Sequence, residues 1–359
     1  RRYRQQMIWG LLLSAQAEGS GLLHPDRKGH IMKIGTIGTG GIVEWVMAEA
    51  LRTDGMEWGA VCSRREATGR ALADRFGVPK VYTDLDAMLA DGELDFIYVA
   101  SPNSLHYAQA RRALLAGKNV ICEKPFAPTR AQAEELAALA QEKRLFLFEG
   151  ITTMFLPNFA LIREKLAEIG RVRQVSCTYC QYSSKYDAFC AGETPNVFNP
   201  AFAGGALMDI NLYNLYFVYG LFGSPQKLAY HAHRHPNGID TSGVLVMEYP
   251  DFVCQCTGAK DCQGENGAAI LGEKGRILLH GSANMCPRVT VVTQDGGQAF
   301  DLQNGETAWY HEMQGIAKLV AAGDYRACWK RLGDTVAVVG LLEQARRSAG
   351  IVFPGIDAV

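Results

Sequence analysis

An apolar strand that runs into a glycine turn and straight on into a helix constrains this chain more than any other feature. The stretch reads Lys33-Ile34-Gly35-Thr36-Ile37-Gly38-Thr39-Gly40-Gly41-Ile42-Val43, and Val46, Met47, Ala50 and Leu51 follow at helical spacing. Gly38 permits the tight turn, and Gly40 lets backbone approach a pyrophosphate seated at the helix N-terminus. The third position of this fingerprint, where a small residue is expected, holds Val43. Such a turn belongs in a parallel α/β sheet.

The rest of the first half supports that expectation. Strand patterns at 58–62, 81–82, 96–100, 119–122 and 145–148 alternate with helix patterns at 67–76, 85–90, 105–116 and 129–143. Gly77, Pro79 and Gly117 supply stops, and Asp84 and Thr129 supply caps. This predicts a doubly wound parallel sheet over residues 32–151. Beyond it, strand-like runs at 172–183, 226–235, 244–249, 252–257, 268–271, 276–280 and 288–293 are joined mostly by short turns such as Tyr249-Pro250-Asp251. Helix patterns lie at 159–168, 207–221, 309–322 and 334–348. Residues 152–359 therefore read as an α+β domain on a large open, mostly antiparallel sheet. One exposed sheet face calls for a homodimer or homotetramer.

A net charge of −1 leaves no electrostatic footprint for nucleic acid or an anionic membrane. No apolar run approaches a membrane span. Ten cysteines without framework spacing point to reduced thiols and a cytoplasmic setting. Cys177 and Cys180, with Cys254, Cys256 and Cys262, raise zinc, but strand alternation puts Cys177 and Cys180 on opposite faces. Buried thiols are the better reading, and no metal site is expected. His231, His233 and His235 also alternate, which suits a polar sheet face or subunit contact. Residues 1–31 combine Arg1 to Arg4, the apolar run Met7 to Leu13 and Ala15-Gln16-Ala17. They read as an N-terminal extension, with a secretory signal and a periplasmic address as the alternative.

At the end of the second strand, where an acidic residue selects NAD, the chain has Ser63-Arg64-Arg65. A hydroxyl and two guanidiniums suit a 2′-phosphate, so NADP is preferred over NAD. The strand at 119–122 runs into Glu123-Lys124-Pro125. Ligands of such sheets bind beyond the strand ends, so Lys124 is expected in the nicotinamide cleft.

In these features together the chain resembles the Gfo/Idh/MocA oxidoreductase family. The matching segments are Gly38-Thr39-Gly40-Gly41-Ile42, Ser101-Pro102-Asn103-Ser104-Leu105-His106, Glu123-Lys124-Pro125, and Ala203 to Tyr213 with Asp209 inside it, in family order over about residues 32–359. The resemblance implies NAD(P)-linked oxidation or reduction of sugars or related alcohols. It places Ser101, Asn103 and His106 beside the nicotinamide, and Glu123 and Lys124 against cofactor and substrate.

Asp209 and Tyr213 are four apart on a helix and should share a face. Many sugar dehydrogenases of the family have His at the second position. Tyr there resembles the dihydrodiol-dehydrogenase-like and glucose–fructose-oxidoreductase-like branches, which pair Lys with Tyr. The expectation is that Lys124 lowers the pKa of Tyr213, which exchanges the substrate's hydroxyl proton while Asp209 orients substrate or holds Lys124 charged. Met154, Phe155, Phe198 and Phe202 are expected to make a weakly polar pocket for a sugar, cyclitol or trans-diol. A non-catalytic nucleotide-binding regulator and an NAD-dependent glycosidase-like enzyme are the rival readings.

Overall fold

Strand alternation of the buried parallel type builds the first sheet. A computed structural model describes residues 31–357, so the reading of residues 1–31 as an extension lies outside the described residues except for Ile31. In chain order come β1 (Met32–Ile37), α1 (Gly41–Leu51), β2 (Met56–Cys62), α2 (Glu66–Phe76), β3 (Lys80–Tyr82), α3 (Leu85–Leu89), β4 (Phe96–Val99), α4 (His106–Leu115), β5 (Asn119–Glu123), α5 (Arg130–Glu142) and β6 (Leu147–Gly150). The strand order is β3-β2-β1-β4-β5-β6, all parallel. The sheet therefore switches direction between β1 and β4, and the glycine turn opens at that switch. Thr129 caps α5 through Gln132 N, as expected.

The second half contributes α6 (Pro157–Lys165), β7 (Val172–Cys180), α7 (Tyr186–Cys190), α8 (Leu212–Phe222), β8 (Lys227–Arg234), β9 (Asp240–Glu248), β10 (Val253–Ala259), β11 (Gly267–Gly272), β12 (Gly275–His280), β13 (Arg288–Thr293), β14 (Gly296–Phe300), α9 (Ala308–Ala321) and α10 (Tyr325–Ser348). These strands form one sheet in the order β14-β13-β12-β11-β7-β10-β9-β8, antiparallel except between β7 and β10. Val175, Cys177, Leu245, Met247, Cys254, Cys256 and Ile270 face a core shared with α8. The opposite face carries a row of mostly small side chains, Ala229, Val246, Gln255, Ser176, Ala269 and Leu278, set side by side by the register.

The two C-terminal helices do not stay with the second sheet. Met313, Ile316 and Val320 of α9 pack with Ile34, Val46 and Phe96 on one face of the first sheet. Leu332, Val336 and Val339 of α10 join Val99, Val120 and Leu136 on the other. Both layers over the first sheet are thus completed from the far end of the chain.

Strand β14 was not expected from the sequence. Its residues Gly296-Gly297-Gln298-Ala299-Phe300 are mostly exposed at the sheet edge and carry no apolar alternation. The histidine row is also shorter than expected. β8 ends at Arg234 after a register shift, and His235 packs on the Phe189 ring at 4.4 Å instead of standing beside His231 and His233.

Candidate active site

The turn after β1 shows which glycines the protein itself requires. Gly38 has φ +116°, and a Cβ there would lie 2.4 Å from the Ala100 carbonyl oxygen. Only glycine fits. A Cβ on Gly40 or Gly41 would meet nothing within 4 Å, so the space in front of these two is left for something other than this chain. Gly40 is the N-cap of α1 and offers no side chain to the helix N-terminus, whose free N–H groups and dipole favour an anion. Thr39 and Ile42 flank this opening, half-buried. Val43 is fully buried in the core beneath it, so the packing tolerates a larger residue than the fingerprint expects. Gly38 N–H donates to Cys62 O at 3.2 Å, which brings the end of β2 alongside. There Ser63 is half-buried and Arg64 and Arg65 are exposed. The residues present fit a dinucleotide with a phosphorylated ribose.

On the other side of the switch, Ser101 Oγ donates to Gln109 Oε1 at 2.6 Å and Asn103 Nδ2 to Ala203 O at 3.0 Å. His106 is buried, with Nδ1 at 2.9 Å from Pro125 O and Nε2 at 2.8 Å from Ser101 O. Burial lowers its pKa against the pull of those carbonyls. These three residues tie the loops after β4 and β5 to the segment that precedes Asp209.

The reacting cluster forms where that segment meets β5. Glu123 ends β5, buried, and accepts the Tyr98 hydroxyl at 2.6 Å. Lys124 Nζ donates to Asp209 Oδ1 at 2.9 Å and to Asp209 O at 2.8 Å, and lies over the Tyr213 ring at 5.1 Å from its centroid. Tyr179 of β7 stands beside Tyr213 with ring centroids 6.2 Å apart. Asp209 sits in a π turn, Leu207–Asn211, that feeds α8, so the regular four-residue spacing expected from the sequence is replaced by a wider turn. Lys124 nevertheless reaches both residues.

Glycines place this turn. A Cβ on Gly204 would lie 2.5 Å from Val197 O, and one on Gly205, at φ +114°, would collide with the Asp240 carboxylate. Asp240 in turn accepts from Leu207 N and the Tyr230 hydroxyl, each at 2.7 Å. Asn211 and Asn214 then bond to Cys256 O and Thr257 O, each at 3.0 Å, fastening the helix to β10.

Electrostatics corrects one expectation. Burial raises the Tyr213 pKa above the ordinary phenol value, and Glu123, Asp209 and Tyr179 add to that; Lys124 opposes it and loses. The physical reason is that loss of hydration on burial is the largest of these effects, and one ammonium does not offset it. Burial disfavours charge on Lys124, yet Asp209 and Tyr213 outweigh it and the ammonium is held charged. Asp209 is pushed up by burial and pulled further down by Lys124 and Lys260, so it stays a carboxylate.

Lys260 has no counterpart in the reading of the sequence. It follows β10, is buried, and its ammonium bonds Asp209 Oδ2. Nothing local marks it, because its partner lies 51 residues away in the chain. Of the four apolar residues expected to share a pocket, Met154 and Phe155 line one small cavity and Phe198 packs elsewhere. Phe198 is fully buried against Phe189 with Lys260 Nζ 5.9 Å from its ring. Phe155 lies under Arg331 at 4.5 Å, and it lines a small cavity together with Met154, Glu149, Tyr216 and Thr335. Phe202 is half-buried in the 3-10 turn Pro200–Phe202.

Residues 32–151 match an oxidoreductase family profile with an NAD-binding Rossmann fold, and residues 159–278 match the GFO/IDH/MocA C-terminal domain. The chain belongs to the Gfo/Idh/MocA oxidoreductase family. It is an NAD(P)-dependent dehydrogenase or reductase by that membership. Among its relatives is an uncharacterized oxidoreductase, YgjR, of Escherichia coli K12, 35% identical over 90% of this chain and 98% of that one. Another is the NADP(+)-linked scyllo-inositol 2-dehydrogenase IolU of Bacillus subtilis, 31% identical over 91% of this chain and 100% of that one. A crystal structure of KijD10, a 3-ketoreductase from Actinomadura kijaniata, with NADP and TDP-benzene superposes with a TM-score of 0.77 at 24% identity, over 89% of this chain and 98% of that one. That likeness shows the shared fold.

Proposed function

We propose that the protein reduces a ketone, or oxidises the matching secondary alcohol, on a sugar, cyclitol or trans-diol with NADP preferred over NAD. One observation carries this reading: the Lys124 ammonium, one residue beyond β5, bonds Asp209 and lies on the Tyr213 ring face. Gly38 to Ile42 would hold the pyrophosphate, Ser63, Arg64 and Arg65 the adenosine ribose, and Ser101, Asn103, His106 and Glu123 the nicotinamide side. The bound dinucleotide supplies the hydride donor or acceptor.

Tyr213 does the proton work. A phenol kept protonated by burial is a general acid: it donates to the carbonyl oxygen as the alcohol forms, and Lys124 stabilises the phenolate left behind. In the reverse direction the same phenolate removes the hydroxyl proton. Asp209 keeps the ammonium in place. The similarity to a scyllo-inositol dehydrogenase supports a polyhydroxylated ring as substrate.

The test is an NADPH absorbance screen over aldoses, inositols and trans-diols in both directions. Turnover of at least one class, abolished in Lys124→Met, is expected. Tightly retained cofactor without net NADPH change would instead favour a glycosidase-like reaction, and no turnover at all a regulator. The uncovered row of small side chains on the second sheet supports a homo-oligomer formed through that face, which sedimentation would measure. No helix among the described residues is long and apolar enough to cross a membrane. All ten cysteines are free thiols, which supports a reducing, cytoplasmic setting that cell fractionation would check.

A further inference from the structure

Asp209 is gripped from both sides. Lys124 comes from the end of β5 in the first sheet, Lys260 from the end of β10 in the second, and each ammonium takes a different oxygen of the one carboxylate. We infer that Lys260 is a positioning residue for the reaction: it fixes Asp209 between the two sheets and leaves the cluster with one positive charge more than its carboxylate can cancel. The inference rests on the Lys124–Tyr213 chemistry proposed above.

Lys124 with Asp209 alone would be a neutral pair, with little field left for an oxygen that gains negative charge. A second ammonium on the far oxygen turns the pair into a triad of net charge +1. That excess charge favours a phenolate or alkoxide in front of Lys124. Burial makes the contact costly to break, because Lys260 is 5% exposed and has no other carboxylate bonded to it among the described residues. Its position is also fixed: Asn211 and Asn214 lock α8 and the π turn to β10, and a Cβ on Gly258 would lie 2.5 Å from Asn211 Cβ. The strand that carries Lys260 and the turn that carries Asp209 therefore move as one body. The charged or titratable groups facing the triad are His106 at the start of α4, Glu123 at the end of β5, Tyr179 on β7, Tyr213 on α8 and Asp240 on β9. None of them replaces the lost ammonium.

The experiment uses the full chain with carboxyl-13C aspartate, the Asp209 resonance being assigned with D209N. In K260M the Asp209 carboxyl is expected to titrate at least about one pH unit higher than in the wild type, with K260R close to wild type. That readout needs no substrate and stands even if the proposed reaction fails. With a polyol or diol that turns over, K260M is expected to lose at least about tenfold in kcat with little change in KM, and the alkaline limb of alcohol oxidation is expected to move to higher pH. K260Q keeps a hydrogen bond without the charge and is expected to behave as K260M; it also serves if K260M does not fold. An unmoved Asp209 titration overturns the inference, as does K260Q turning over like the wild type.

Discussion

The Lys124 ammonium stands on the face of the Tyr213 ring, 5.1 Å from its centroid, while its hydrogen bonds go to Asp209. The lysine thus acts on the tyrosine through its field. Tyr213→Phe keeps the ring and the cation's seat and removes only the proton. It is expected to lower kcat by about 10²–10⁴-fold with NADP affinity unchanged. Since burial holds Tyr213 above the ordinary phenol pKa, wild-type ketone reduction should stay level through neutral pH and fall only in the alkaline range. Near-wild-type turnover in Tyr213→Phe would remove the tyrosine from the mechanism.

Lys124 and Tyr213 are expected to fail together. If the lysine matters because it stabilises the tyrosine's anion, then once the phenol is gone the lysine has less left to do. A cycle of Lys124→Met and Tyr213→Phe should show the double variant losing little more than the worse single variant. Multiplying losses would mean that the two residues serve separate steps.

Arg64 and Arg65 are exposed at the end of β2, beside the turn whose glycines leave open space. Neither has a charged partner among the described residues, so replacing them disturbs no internal pair. Arg64→Ala with Arg65→Ala is expected to raise the KM for NADP by roughly 10- to 100-fold and to leave that for NAD nearly unchanged. Equal losses with both dinucleotides would assign these arginines to the pyrophosphate or to nothing.

The parallel sheet was legible because short apolar runs such as Phe96–Val99 alternate with helix patterns that are closed by glycine, proline or a cap, and those signals are local. Lys124 was legible for the same reason: it sits one residue beyond β5, and ligands of such sheets bind outside the carboxyl ends of the strands. Lys260 was not, because a lysine after an ordinary strand looks like any solvated charge until the fold brings Asp209 to it. The π turn at Leu207–Asn211 was hidden too. Its widened geometry answers to Asp240 and β10, contacts that no helical periodicity in 207–221 records. Only Met154 and Phe155 of the expected aromatic pocket share a cavity, and its other wall comes from Arg331, Leu332 and Thr335 of α10, which returns to the first sheet from far along the chain.

Gly38 and Gly40 are expected to separate folding from binding. Gly38→Ala would force a Cβ to 2.4 Å from the Ala100 carbonyl at a positive φ, so thermal stability should fall by several degrees and expression with it. Gly40→Ala meets nothing in the protein and sits at φ −80°, so its melting temperature should match the wild type. Its NADP affinity should fall at least about tenfold, since the methyl occupies the pyrophosphate's approach. Calorimetry and fluorescence titration on the two variants read both quantities. A Gly40→Ala protein that binds NADP normally would move the pyrophosphate elsewhere.

Glu149 gives the fold a pH dependence of its own. It is buried, accepts from Phe126 N at 3.2 Å and from the hydroxyls of Tyr216 and Thr335, and has no cation bonded to it among the described residues. Burial raises its pKa from 4.5 to about 7, against the pull of those donors. Below 4.5 the folded and unfolded chains both carry this proton, and the folded state bears no penalty. As pH rises toward 7 only the unfolded chain releases it readily, so stability drains away across that window and the loss is complete above it. By linkage the window is worth about 3 kcal/mol. Glu149→Gln removes the titration while its amide oxygen still accepts from Phe126 N and the Tyr216 hydroxyl can turn to accept from its NH2 group. The variant is therefore expected to gain on the wild type as pH rises from 5 to about 7.5 in denaturant titrations, with the two differing by a constant outside that range. Parallel curves across the window would mean that Glu149 ionises in the folded protein as it does in water.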